Sequence, residues 1–331
     1  MCFLVVALFC AGCQTAPLRP TAEPVRRSQP LLGTFVTITA YGADRAEVNT
    51  AISAAFAEIR RVDALMSLHR ADSELTRLNE AASREAVVVS PELFHVIAKA
   101  QEIASETDGA FDITVRPLTQ LWGFIWKEYR LPTTEELARV LPLVDYRLVE
   151  LDAARRTVRF RQPGMSLDLG GIAKGFAVDC AIERLRALGV TNAMVKAGGD
   201  LRVLGLPPGR AHWDIQLEDP RKAGRRETIP LRAGALSTSG NYENCFVVGG
   251  RRYGHILNPR TGLPSEGVAA VTVTAPTCME SDALATACVV LGAEQSLARL
   301  GARYGIRLTV DSPTPSRGER VVAESLTFPK P

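Results

Sequence analysis

The chain of 331 residues is 46% hydrophobic and 23% charged, a composition that excludes an intrinsically disordered protein and is typical of a globular one. Its formal net charge is +3 and no basic stripe runs along the sequence, so charge gives no support for nucleic acid as a partner. The length is sufficient for one large or two moderate domains with a sizeable core.

The N-terminus carries an apolar run at residues 2–12, CFLVVALFCAG, which is too short to span a bilayer and ends in small residues. This pattern is typical of a signal peptide, and the Ala-Gly-Cys sequence ending at Cys13 resembles a bacterial lipoprotein processing site. We therefore predict a signal segment at residues 1–13, a lipidated Cys13, and an exported inner-membrane lipoprotein that faces the periplasm. An uncleaved short anchor is the alternative, because no Lys or Arg precedes the run.

Residues 14–30 contain four prolines and no hydrophobic period. They predict an extended tether between the membrane and a domain at residues 31–331.

The four cysteines beyond the leader form no C-x-x-C pair and have no interleaved histidine, so a zinc site is not predicted. One disulfide and buried free thiols are both compatible with the sequence. These cysteines are Cys180, Cys245, Cys278 and Cys288.

The first predicted elements of the domain are a strand and a helix. Residues 34–42, TFVTITAYG, alternate between apolar and polar side chains as a half-buried strand does. Asp44 and Glu47 form a capping-box pattern ahead of apolar residues that recur on one helical face from Val48 to Val62.

Two further helices are predicted from their N-terminal residues. Ser90 followed by Pro91 is typical of a helix start. Thr133 and Glu136 form the capping pattern of a third, shorter helix.

The middle of the chain predicts a hairpin at residues 147–160, RLVELDAARRTVRF. Residues 165–179, MSLDLGGIAKGFAVD, then predict a strand that ends on a carboxylate, two consecutive glycines, and a helix from Ile172 to Leu188.

The second half predicts mostly strands, then helices from Glu280 to Leu291 and from Ala293 to Leu300, and two closing strands. Strand runs separated by helices, many joined by short turns, favour an α+β fold over a doubly wound Rossmann sheet. We therefore predict mixed, largely antiparallel sheets flanked by helices.

Gly170 and Gly171 precede a predicted helix that carries Lys174 in its first turn. Unpaired N–H groups and the helix dipole favour an anion at such an end, and glycines let it approach. A tight turn that needs glycine for its dihedral angles explains the pattern equally well.

Asp282 and Thr286 are spaced i,i+4 in MESDALATA, so a carboxylate and a hydroxyl face the same way from adjacent helical turns. Two such oxygens suit Mg²⁺, which commonly works with phosphate-bearing substrates. Considered alone, an Asp near a helix start is more often a cap.

Two other segments contain residues suited to chemistry. His255 lies inside an apolar strand, where a histidine acts either as a general base or as a structural residue. Residues 107–124 place aromatic side chains and Asp112 between a helix end and an expected strand, either to hold a flat ring or as part of the core.

Taken together, these stretches resemble the ApbE family of FAD:protein FMN transferases, over the region from Leu31 to the final strands. The blocks that carry the resemblance are LLGTFVTI, MSLHRADSELTRLN, GAFDITVRPLTQLWGF, LDLGGIAKGFAVD, AGGDLRVLG, STSGNYE, GHILNPRTGLP and SDALATA.

The resemblance implies an exported enzyme that binds FAD and Mg²⁺ and cuts the pyrophosphate of FAD. FMN would be attached through a phosphoester to a Thr or Ser hydroxyl of an acceptor protein, and AMP would leave. It also implies acceptors such as subunits of the sodium-pumping NADH:quinone reductase and of Rnf-type complexes.

The family's functional residues fall on matching positions of this chain. The implied metal ligands are Asp282, Thr286 and the main-chain carbonyl of Gly171, and Ala285 stands where some members have a further carboxylate. His255 and Asp282 are the implied catalytic residues. The implied FAD contacts are Leu32, His69, Asn79, Ala110, Phe111, Asp112, Asp168, Lys174 and Leu257.

Three alternatives use the same residues differently. An FAD pyrophosphatase would release free FMN and AMP, with water in place of the acceptor hydroxyl. A flavin-binding lipoprotein would store or deliver FAD without turnover. An inactive homologue would bind neither metal nor flavin.

Overall fold

The computed structural model describes residues 23–218, 226–240, 244–311 and 320–330. The predicted signal segment at residues 1–13, its lipidation site and the first part of the predicted tether lie outside the described residues.

The described residues form seven α-helices: α1 (Arg45–Met66), α2 (Glu74–Ala81), α3 (Pro91–Glu106), α4 (Arg116–Leu121), α5 (Thr134–Val140), α6 (Ala173–Ala187) and α7 (Cys278–Leu300). The strands are β1 (Val25–Leu31), β2 (Thr34–Tyr41), β3 (Val87–Val88), β4 (Val149–Asp152), β5 (Thr157–Phe160), β6 (Asn192–Ala197), β7 (Asp200–Leu204), β8 (Trp213–Glu218), β9 (Arg226–Leu231), β10 (Ala235–Gly240), β11 (Cys245–Val248), β12 (Arg251–Gly254), β13 (Val268–Ala275), β14 (Gly305–Asp311) and β15 (Arg320–Glu324).

An eight-stranded sheet in the order β1-β2-β6-β7-β10-β13-β14-β15 organises the molecule, and all its neighbouring strands are antiparallel. Smaller sheets pair β3, β5 and β4, then β8 with β9, and β11 with β12. The predicted α+β class with largely antiparallel sheets is confirmed.

The main core lies between one face of the large sheet and helices α1, α6 and α7. In β2, Val36, Ile38 and Ala40 are fully buried on this face, because alternate side chains of a strand point to the same side. Phe56 and Ile59 of α1 face them and are also fully buried. Each of the Val, Ile and Phe side chains contributes about 1.5–3 kcal/mol through removal from water.

A second, smaller core covers part of the opposite sheet face. The β8–β9 ribbon packs Trp213, Ile215 and Ile229 against Leu201 and Leu236 of the large sheet. The sheet therefore has side chains packed on both faces.

The predicted helix starts are confirmed by their hydrogen bonds. Asp44 accepts from the first turn of α1, and Ser90 accepts from Leu93 N–H at the start of α3. Thr133 and Glu136 form a complete capping box on α5. These signals are local, so the sequence alone is sufficient to read them.

The tether prediction is wrong at its C-terminal end. Residues 25–31 form β1, which pairs along its whole length with β2. Pro30 is compatible with this because β1 is the edge of the sheet, where a missing N–H interrupts no ladder on the outer side.

The chain between α3 and α6 also differs from expectation. The strand predicted after Asp112 is helical, with a 3₁₀ turn at Ile113–Val115 followed by α4. The strand predicted before Gly170 pairs with no other strand. Helix α2 was not predicted.

Helix α7 is broken at Gly292, whose φ of 74° is non-helical, and the two predicted helical runs lie on either side of this break. By length and composition α7 is the one described helix that could cross a membrane. Its packing against β10, β13 and α6 is that of a core helix.

Within the described chain, Cys180, Cys245, Cys278 and Cys288 are free thiols. The sequence left both a disulfide and free thiols open, and the structure contains no disulfide between these four residues.

Candidate active site

Helix α6 begins without a side-chain cap of its own, because its N-cap residue is Ile172. One of its unpaired N–H groups, that of Gly175, donates instead to Oδ2 of Asp282 on α7 at 3.0 Å. A Cβ on Gly175 would lie 2.3 Å from the carbonyl oxygen of Cys278, so glycine is what allows the two helices to approach. The N-terminal turns of α6 and α7 are thus held together at the site.

The segment that leads into α6 is fixed by a side chain rather than by a sheet. The amide of Asn79 donates to the carbonyl of Leu167 at 3.0 Å and accepts from the N–H of Leu167 at 2.7 Å. Asp168 N–H donates to the carbonyl of Ile113 at 2.7 Å. These bonds satisfy the backbone that a strand would have paired, which is why the predicted strand is absent here.

Lys174 lies between two buried carboxylates. Its Nζ is 3.1 Å from Oδ2 of Asp200 and 3.3 Å from both carboxylate oxygens of Asp282. Burial lowers the pKa of Lys174, but the two carboxylates outweigh burial and raise it. Burial raises the pKa of Asp282, Asp200 raises it further, and Lys174 opposes both effects.

Asp282 and Thr286 occupy adjacent turns of α7 as predicted, and Asp282 is only 2% exposed. A Cβ on Gly171 would lie 3.2 Å from Oγ1 of Thr286 and 3.3 Å from the ring of Phe111. The Gly171 backbone and the Thr286 hydroxyl therefore lie next to each other. Ala285 is fully buried in the main core.

These donors fit the Mg²⁺ that the resemblance implies. A buried carboxylate, a hydroxyl and a main-chain carbonyl are all hard oxygen ligands. The backbone at Gly171 leaves room that a side chain would fill against Thr286. Among the described residues no group of three or more His, Cys, Asp or Glu side chains is arranged for a metal, so this set relies on backbone and hydroxyl oxygens.

His255 follows directly after β12 and is held by Asn244. The carbonyl of Asn244 lies 3.1 Å from Nδ1 of His255 and accepts its backbone N–H at 3.0 Å. A carbonyl only accepts, so Nδ1 carries the proton in the neutral ring and Nε2 is left as an acceptor. Burial lowers the pKa of His255, and the nearby charge of Lys174 lowers it further.

One cleft in two adjoining parts contains these groups. The inner part has a volume of about 400 Å³ and the outer part about 1090 Å³, and both are lined by Gly170, Lys174 and His255. Ligand pockets typically have volumes of about 300–1,000 Å³, and the two parts together exceed this range, so the cleft is large enough for a dinucleotide.

The predicted FAD contacts fall into groups within this cleft. His69 lines the outer part, where its ring meets Trp126 edge-on with centroids 5.5 Å apart. Leu32, Asp168 and Lys174 line both parts. Four further predicted contacts line the inner part only, and they are Ala110, Phe111, Asp112 and Leu257.

Two of the predicted contacts have other partners. Asn79 does not line the cleft, because both ends of its amide bind Leu167. Its amide positions Leu167, and its contact with the cofactor stays a prediction. The carboxylate of Asp112 accepts from Thr114 and from Tyr146 N–H, so it fixes the wall of the cleft.

Leu32 and Gly33 form the two-residue turn between β1 and β2, with φ values of 56° and 71°. Positive φ at both positions is typical of a type I′ turn, in which leucine is unfavourable. The turn holds the Leu32 side chain at the cleft despite this cost.

Sequence reasoning assigned no role to Asp200 or Asn244. Asp200 is 3% exposed and lines the inner cleft, and Asn244 holds His255. A carboxylate directly after Gly198 and Gly199 was the available signal for Asp200, but its partner Lys174 is on a different element.

The antiparallel sheet with its helical layer, and a cleft with hard oxygen donors, a half-buried ammonium and a neutral histidine, define an α+β enzyme of the group-transfer class. The chain belongs to the ApbE family, whose model matches residues 32–308.

Relatives and solved structures agree with this assignment. An FAD:protein FMN transferase from Vibrio cholerae is 36% identical over 307 residues, which cover 89% of this chain and 88% of that protein. One from Treponema pallidum is 33% identical over 314 residues, covering 90% and 86%. The ApbE protein of Thermotoga maritima superposes with a TM-score of 0.83 at 33% identity, covering 92% of this chain and 98% of that one. The flavin transferase ApbE from Vibrio cholerae gives a TM-score of 0.81 at 32% identity, with the same coverage.

Proposed function

We propose that this protein is an FAD:protein FMN transferase that cleaves FAD between its phosphates, attaches FMN to a Thr or Ser hydroxyl of an acceptor protein, and releases AMP. The observation that carries the proposal is that one cleft brings together the N-terminus of α6, the Lys174 ammonium and a neutral His255. The family membership supports the same reaction.

The diphosphate of FAD is bound at the start of α6. The N-cap residue Ile172 provides no side-chain cap, and the positive end of the helix dipole favours an anion here. Gly170 and Gly171 keep side chains out of the approach, and the ammonium of Lys174 faces the same space.

Gly171, Asp282 and Thr286 would hold Mg²⁺, through the carbonyl, the carboxylate and the hydroxyl respectively. When bound, Mg²⁺ would neutralise the negative charge that develops between the two phosphates.

His255 takes the proton of the acceptor hydroxyl, because a free alcohol is a poor nucleophile. Asn244 fixes the tautomer so that Nε2 receives this proton. The hydroxyl oxygen forms a bond to the phosphorus of FMN. The bond from that phosphorus to the bridging oxygen breaks, and AMP leaves with the bridging oxygen.

The leader and the tether support a location close to membrane acceptors. We expect an inner-membrane lipoprotein anchored through Cys13 in the periplasm, with subunits of the sodium-pumping NADH:quinone reductase or of Rnf-type complexes as acceptors. Mass spectrometry of the mature N-terminus tests the lipid anchor, since a lipidated Cys13 has a distinct mass.

One assay separates the proposed reaction from its alternatives. Purified protein is incubated with FAD, Mg²⁺ and an acceptor protein, and the products are analysed by mass spectrometry and chromatography. FMN-labelled acceptor with AMP supports the proposal. Free FMN with AMP would identify a pyrophosphatase, and unchanged FAD would identify a carrier or an inactive homologue.

A further inference from the structure

Asp200 is a second buried carboxylate at the predicted metal site. It begins β7, directly after the Gly198–Gly199 turn, and its side chain is 5% exposed. Its Oδ2 lies 3.1 Å from Nζ of Lys174. The reaction described above gives Asp200 no task.

The ammonium of Lys174 is surrounded by oxygen atoms as a bound cation would be. Besides Asp200, its neighbours are both carboxylate oxygens of Asp282 and the carbonyl of Gly170, each at 3.3 Å. Asp282, the predicted ligand of the metal ion, is therefore already paired with a cation of the chain itself.

The site has more acidic than basic side chains. Two buried carboxylates lie beside one ammonium, so there is a deficit of positive charge whenever both carboxylates are ionised. Binding of a divalent ion to Asp282 removes this deficit, but it also places two cations side by side unless Lys174 is held elsewhere.

We infer that Lys174 is an internal counter-ion that fills the cation position in the metal-free protein, and that Asp200 retains its ammonium when a divalent ion takes Asp282. This inference rests on the proposed function in taking Asp282 as a metal ligand. Asp200 is a positioning residue, since it acts by keeping Lys174 beside the diphosphate site and away from the metal.

Metal binding without FAD tests the inference, with Mn²⁺ as the probe, measured by calorimetry and by electron paramagnetic resonance. Lys174→Met removes the competing cation, so Mn²⁺ should bind at least about tenfold more tightly than in the wild type. Lys174→Arg keeps the charge and should bind Mn²⁺ no more tightly than the wild type. Lys99→Met, which removes a charge on α3, is the matched control and should leave the affinity unchanged.

Asp200→Asn should weaken Mn²⁺ binding about tenfold or more, because the ammonium then stays on Asp282. In the Lys174→Met background the same change should cost clearly less, since there is no ammonium to retain. Thermal melting in EDTA gives a second readout. Lys174→Met should melt lower than the wild type there, and Mn²⁺ should raise its melting temperature by more than it raises that of the wild type.

The outcomes distinguish failure of the proposed metal site from failure of the counter-ion role of Lys174. If wild-type protein binds no Mn²⁺, the proposed metal site and hence the proposed function are wrong. If the wild type binds Mn²⁺ but Lys174→Met binds it equally or more weakly, only the counter-ion role is overturned. Equal effects of Asp200→Asn in both backgrounds would overturn the positioning role of Asp200.

Discussion

The carbonyl of Asn244 accepts both the backbone N–H and the Nδ1 proton of His255, at 3.0 and 3.1 Å. One residue thus fixes the position and the tautomer of the candidate base. The arrangement leaves Nε2 as the only proton acceptor of the neutral imidazole.

His255 should determine the acidic limb of the pH–rate profile. Burial lowers its pKa below the ordinary value of 6.5, so the ring is neutral and competent at neutral pH. The contribution of His255 to FMN transfer should be lost at pH values below 6.5, and His255→Gln should lower the rate by about 10²–10⁴-fold and flatten that limb. A variant with full transfer activity at saturating Mg²⁺ would contradict the assignment.

The same depressed pKa predicts how stability depends on pH. The unfolded chain binds a proton to this histidine at a higher pH than the folded chain does. The free energy of unfolding should therefore decrease as the pH falls through and below 6.5. The decrease should be smaller in His255→Gln, as measured by urea unfolding at several pH values.

Asp282→Asn should strongly reduce FMN transfer while the protein remains folded. The amide oxygen can still accept from Gly175 N–H, but the charge for the cation is lost. We expect a decrease in kcat/KM on the order of 10²–10³-fold. A circular dichroism melt close to that of the wild type would show that the loss is chemical, and retained activity would refute the predicted metal ligand.

Thr286 offers an isosteric comparison. Thr286→Val keeps the shape against Gly171 but removes the hydroxyl, whereas Thr286→Ser keeps the hydroxyl. Mn²⁺ affinity should fall about tenfold or more in the Val variant and should stay near the wild-type value in the Ser variant. Equal affinities of the two variants, measured by calorimetry, would remove Thr286 from the ligand set.

Asn79→Leu should destabilise the protein and release the segment around Leu167 that leads into α6. It leaves the N–H and the carbonyl of Leu167 without partners, which costs about 1–3 kcal/mol for each group. Asn49→Ala is the control, because that side chain bonds only within α1 and should change stability by less than about 0.5 kcal/mol. Similar urea midpoints for both variants would contradict this role.

Leu32→Asn should make the protein more stable and less active. Asn adopts positive φ more readily than Leu, so the β1–β2 turn should gain about 1 kcal/mol. The apolar surface at the cleft is lost, so the KM for FAD should rise. A lower melting temperature would show that the turn is not strained at Leu32. An unchanged KM for FAD would show that the Leu32 side chain does not contribute to the site.

The sequence was sufficient for features that depend on neighbouring residues. The starts of α1, α3 and α5 follow from caps at Asp44, Ser90 and Thr133, and all three are present. The spacing of Asp282 and Thr286 on one helix was equally readable, because four residues make about one turn.

The features that were missed join distant parts of the chain. Asn79 replaces a strand partner for Leu167 across 88 residues, so periodicity alone suggested a strand that does not form. Asp200 and Lys174 meet only because β7 and α6 pack together. Nothing local to either residue predicts that contact. The resemblance predicted most of the cleft-lining residues described above, but it did not predict that Asn79 positions Leu167.

The hydrogen bond from Gly175 N–H to Asp282 gives one side chain two tasks. The carboxylate predicted to bind metal also completes the first turn of a central helix. Replacement by an apolar residue would therefore remove the predicted metal ligand and leave an N–H at the end of this helix without a partner, whereas Asn would remove only the charge. The same side chain thus links the chemistry of the site to the stability of the helix that lines it.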